Sequence, residues 1–119
     1  MSKFAKVVGV ILLIVGILGF IPNPIVGSGG MFETDFVHNL VHIVLGVLLL
    51  VWPNSMGLKL VGAIYLLVAI LGFVMGGDKV LGFLMVNSAD NWLHLVLGVV
   101  LLGAGLMGKG GSSSPMQPA

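Results

Sequence analysis

The chain has no cysteine and no arginine, and its four acidic residues and five lysines make up only 8% of 119 residues. Without cysteine there are no disulfides, no thiolate metal sites and no thiol catalysis. A formal net charge of +1 with no arginine provides no basic cluster to neutralise phosphates, which excludes nucleic acid as a partner. The scarcity of charge also excludes a water-soluble fold. Soluble domains carry roughly 25% charged and roughly 45–50% apolar residues, whereas 58% of this chain is hydrophobic and its mean hydropathy is +1.20. Hydrolytic chemistry lacks a nucleophile, because Ser2, Ser28, Ser55, Ser88 and the serines of the tail have no evident base beside them.

What is present is a repeat. Lys6-Val-Val-Gly-Val-Ile-Leu-Leu-Ile-Val-Gly-Ile-Leu-Gly-Phe20 returns as Lys59-Leu-Val-Gly-Ala-Ile-Tyr-Leu-Leu-Val-Ala-Ile-Leu-Gly-Phe73, with ten of fifteen positions identical. His38-Asn-Leu-Val-His-Ile-Val-Leu-Gly46 returns as Asp90-Asn-Trp-Leu-His-Leu-Val-Leu-Gly98. The offset falls from 53 to 52 between the two matches, so the copies differ by one residue in the loop inside each copy. Self-similarity of this kind sets the architecture before any single residue is interpreted.

Four apolar segments follow from the hydropathy, about Phe4 to Ile21, Phe36 to Trp52, Gly57 to Met75 and Asn91 to Met107. Each is near the lower end of the roughly 17–25 residues that cross a bilayer as a helix, and helix is the conformation that satisfies its own backbone in lipid. A cleaved signal peptide is the rival reading of the first segment, but its repeat partner is internal, which favours retention. Lys3, Lys6, Lys59 and Lys109 fall at the amino terminus, the second connection and the tail. Glu33, Asp35, Asp78 and Asp90 fall in or beside the other two loops, with Lys79 the exception. The positive-inside rule then places both termini in the cytoplasm. Each copy crosses twice and inserts the same way, so the expected fold is all-α: a four-transmembrane-helix bundle of two tandem helical hairpins, related by a pseudo-twofold axis along the membrane normal. Residues 1–107 form the single transmembrane domain, with halves of about 5–52 and 57–107, and 108–119 a cytoplasmic tail rich in Gly, Ser and Pro. Gly9, Gly16 and Gly19, matched by Gly62, Ala69 and Gly72, mark close helix contacts.

Chemistry, where the chain has any, belongs to the outer polar belt. His38 and His42 are four apart on one helical face, and Asp90 and His94 repeat that spacing. Three imidazoles and a carboxylate suit a metal ion if both faces turn toward the axis. His42 and His94 are each followed four residues later by glycine, Gly46 and Gly98, which leaves space for a flat haem or chlorophyll-type macrocycle held by axial histidines. No arginine is available for its propionates. The alternative is structural: Asp35 and Asn87 or Ser88 cap helices two and four, and Asp90 pairs with His94 along one turn. Transport needs polar groups at mid-membrane depth, where Tyr65 is the one polar side chain.

Gly19-Phe20 before an outer loop, Val37-His-Asn-Leu-Val-His-Ile-Val-Leu-Gly46 and Asp90-Asn-Trp-Leu-His-Leu-Val-Leu-Gly98 together resemble the bacterial membrane-protein family catalogued as domain of unknown function 4383, over roughly residues 5 to 107. The resemblance implies a short four-helix protein of the bacterial cytoplasmic membrane and brings no activity or site residues with it. The expected role is non-catalytic, structural or accessory, with the lipid bilayer and a membrane-protein partner or second copy as its contacts. The alternative is a histidine-ligated haem, chlorophyll or metal protein.

Overall fold

The computed structural model describes residues 2–27, 30–75, 79–80, 84–85 and 87–108. Among these, four helices carry an all-α fold: α1 (Ser2–Leu18), α2 (Phe36–Val51), α3 (Ser55–Met75) and α4 (Ser88–Leu106). The α1–α2 connection holds a parallel pair of two-residue strands, β1 (Val26–Gly27) and β2 (Phe32–Glu33). The α3–α4 connection holds an antiparallel pair, β3 (Lys79–Val80) and β4 (Leu84–Met85). Asp78, Lys109 and the rest of the tail, on which part of the charge argument rests, lie outside the described residues.

Polar side chains set the helix ends. Asp35 is extended and its carboxylate accepts the His38 N–H at 2.9 Å, starting α2. Asn87 and Asp90 form a reciprocal capping box at α4, each side chain accepting the other's backbone N–H at 2.9 Å. That box starts α4 at Ser88, three residues before the hydropathy alone places it. Asn54 accepts the Gly57 N–H at 3.0 Å at the start of α3. α1 stops at Leu18, short of the expected Ile21, because the Asn23 amide gathers the chain end: it donates to the carbonyls of Leu18, Ile21 and Val26 and accepts from the N–H groups of Ile25 and Val26. Pro53 follows the last α2 turn and cannot continue it.

The helices pack as two antiparallel pairs with the same contacts in each. A Cβ at Gly9 would meet Gly46 O, Leu49 and Leu50, and one at the matching Gly62 would meet Leu101 and Leu102. Gly19 lies against the Asn39 side chain, and its counterpart Gly72 against Asn91. Glycine at these places lets the helix backbones approach closely. The α1–α2 and α3–α4 contacts are extensive, whereas α2 and α3 touch sparingly.

Beside an apolar core of Leu12, Leu45, Leu49, Leu58, Val61 and Leu101, the helices bury polar residues and expose large apolar ones. Val7, Ile14, Val44, Val51, Leu67, Val74, Val96 and Val99 are all at least half exposed, while His38, Asn39, His42, Asp90, Asn91 and His94 are buried. Two helices, Ser55–Met75 and Ser88–Leu106, are long and apolar enough to cross a membrane, and Phe36–Val51 is a shorter apolar helix.

Candidate functional site

The buried polar residues gather where the two helix pairs meet. His38 and His42 project from one face of α2, one turn apart, and His94 projects from α4. Their ring centroids lie 5.1 Å (His38–His42), 5.2 Å (His38–His94) and 6.0 Å (His42–His94) apart. One ligand atom from each ring can be chosen so that all three lie within 4.8 Å of one another. The sequence thus nominated three side chains that the fold brings together. Asp90, expected as a fourth ligand, sits at the start of α4, where one carboxylate oxygen accepts the Asn87 N–H.

Tyr65 joins the cluster from α3. Its ring lies 5.8 Å from His42 and 5.3 Å from His94, and its hydroxyl is 3.2 Å from His42 Nδ1. That hydrogen bond engages Nδ1 of His42 and not Nε2. The sequence marks Tyr65 only as the polar residue at mid-membrane depth, because its repeat counterpart is Leu12. The departure from the repeat was the available signal.

His94 is 1% exposed, and neither ring nitrogen has a hydrogen-bond partner among the described residues. The expected Asp90–His94 pairing along α4 is therefore absent. Burying polar atoms without partners is costly. A void of about 10 Å³ lies among His38, His42, Tyr65 and His94, walled by Val41, Leu45, Ile64 and Val68. It has room for one atom-sized guest.

This geometry does not fit a tetrapyrrole. The places beside Gly46 and Gly98 are filled by backbone: a Cβ at Gly46 would stand 2.7 Å from Gly9 O and 2.8 Å from Leu13 N, and one at Gly98 2.6 Å from Leu66 N. Both glycines serve helix contact and leave no slot for a ring system. The places beside Gly46 and Gly98 therefore do not accept a haem or chlorophyll-type ring.

The fold and site define an all-α protein of two glycine-packed helix pairs closed around buried histidines. The chain belongs to the family described as Domain of unknown function (DUF4383), whose model matches residues 3–107. No curated protein and no solved structure matches it.

Proposed function

We propose that this is an integral membrane protein of four spans in the bacterial cytoplasmic membrane, with both termini inside and a non-catalytic, structural or accessory role. In this reading, residues 1–107 make one domain, and its halves are related by a pseudo-twofold axis along the membrane normal. The observation that carries the reading is the placement of polarity: all four helices expose large apolar side chains along their length, with Lys3, Lys6 and Ser88 exposed only near helix ends, while the three histidines, Asn39, Asn91 and Asp90 are buried. Lipid, with a membrane-protein partner or second copy, is a fitting neighbour for such a surface. α2, with 16 residues, rises about 24 Å at 1.5 Å per residue. It meets the bilayer by local thinning and through its flanks at Asp35 and Trp52.

The repeated contacts of Gly9 with α2 and Gly62 with α4 support the symmetry. A role without catalysis is favoured by the cluster of His38, His42, Tyr65 and His94, which borders a void of only about 10 Å³.

The test uses the absence of native cysteine. Single cysteines at Ile25 and Ser88 are expected to react with an impermeant thiol reagent in intact cells, and one at Met56, in the connection between the halves, only after permeabilisation. Labelling of Met56→Cys in intact cells, or protection of either outer site, overturns the topology.

A further inference from the structure

We propose that His38, His42 and His94 bind one divalent first-row transition ion of the zinc type, in the void between the two helix pairs.

Three observations converge on it. First, three imidazoles from two helices present ligand atoms within 4.8 Å of one another. Tetrahedral zinc with Zn–N bonds of about 2.0–2.1 Å places its nitrogens about 3.4 Å apart, so the widest edge closes by about 1.4 Å. Ring rotation about the side-chain torsions supplies such a movement. Second, His94 is buried with both nitrogens unpartnered among the described residues, which is costly unless something occupies the void it lines. Third, the void of about 10 Å³ is of one-atom size.

The donor set chooses the metal class. Three imidazole nitrogens without sulfur suit zinc and its first-row neighbours better than calcium or magnesium, which take oxygen ligands. Three protein ligands leave a fourth position open. Tyr65 acts as a positioning residue: its hydroxyl, 3.2 Å from His42 Nδ1, accepts from the Nδ1–H tautomer and so presents the Nε2 lone pair to the ion, the usual outer-shell arrangement of a ligating histidine. Asp90, buried one turn before His94 on the same face of α4, supplies negative charge at the same end of the bundle. The ion would tie α2 to α4 where the two helix pairs otherwise touch sparingly.

The rival occupant is one ordered water, since a void of this size also accepts a water molecule. Metal stoichiometry separates the two. The full chain, purified in mild detergent and stripped with a chelator, is titrated with zinc and, as a coloured probe, with cobalt(II). The expected result is one equivalent bound, with the intense visible bands of four-coordinate cobalt and a raised unfolding temperature. His94→Gln, folded as judged by its helical circular dichroism, is expected to lose the stoichiometric binding and the cobalt bands. Tyr65→Phe keeps the ring's packing and loses the orienting oxygen; a fall in affinity of 10–100-fold is expected with the stoichiometry retained. Absence of stoichiometric metal in the wild type, or undiminished binding by folded His94→Gln, overturns the proposal. Both outcomes are independent of which way the chain crosses the membrane, so failure here is distinct from failure of the labelling test.

Discussion

Replacing Gly98 by alanine is expected to unfasten α4 from α3, and the structure gives the size of the effect. The added Cβ would stand 2.6 Å from Leu66 N, 2.9 Å from Leu66 Cα and 3.0 Å from Gly62 O. All three are backbone atoms, so no rotamer change relieves the clash and the helices must separate. Overpacking of this kind costs about 1–3 kcal/mol. Alanine returns up to about 1 kcal/mol through its better helix propensity, so the net loss is up to about 2 kcal/mol. Gly103, on the same helix, has nothing within 4 Å of the position a Cβ would take. Gly103→Ala therefore keeps only the gain of up to about 1 kcal/mol, and the two substitutions change stability in opposite directions. Gly46→Ala, at the repeat position of Gly98, meets Gly9 O at 2.7 Å and Leu13 N at 2.8 Å and is expected to match the loss at Gly98. Reversible unfolding of the full chain in mixed detergent micelles, followed by circular dichroism, measures all three. Gly98→Ala as stable as Gly103→Ala would refute the backbone-contact reasoning.

Gly72→Ala is expected to destabilise through the Asn91 side chain, which it would strike; Asn91→Ala in the same chain should restore much of the loss, which a double-mutant cycle of unfolding free energies reads directly. Asn87→Ala removes the α4 cap and the hydrogen bond from Asn87 Nδ2 to Met31 O at 2.9 Å that ties the two outer connections together. A loss of about 0.5–2 kcal/mol is expected, with faster amide exchange over the first turn of α4; unchanged exchange there would count against the cap.

The helix pairing was legible because the repeat carries it. Gly9 and Gly62, Gly19 and Gly72, and Asn39 and Asn91 stand at equivalent places in sequence and make equivalent contacts. The histidines were legible for a related reason: His42 and His94 share a repeat position, and His38 lies one turn from His42. Tyr65 was missed because a comparison of copies rewards likeness, and its significance is that it differs from Leu12. Asp90 entered the ligand set by its spacing from His94, and Asn87 three residues before it carries the pattern of the capping box that the structure shows. Gly46 and Gly98 show why glycine beside a histidine is ambiguous in sequence. The missing side chain leaves the same gap whether a ligand or a neighbouring helix fills it, and only packing shows that it is a helix. The short strand pairs and the early end of α1 rest on the Asn23 amide and on pairings of two residues each, too few for a periodic signal.

The proposed bundle and the proposed metal site share one premise, that α2 and α4 face each other through their histidines. The chain contains only three histidines, so protein labelled at histidine alone and reconstituted in lipid bilayers gives a magic-angle-spinning NMR spectrum of this cluster and nothing else. Dipolar correlations are expected among all three imidazoles, whose centroids lie 5.1, 5.2 and 6.0 Å apart, and zinc is expected to shift all three together. A spectrum that couples His38 to His42 along α2 and leaves His94 isolated would contradict the account.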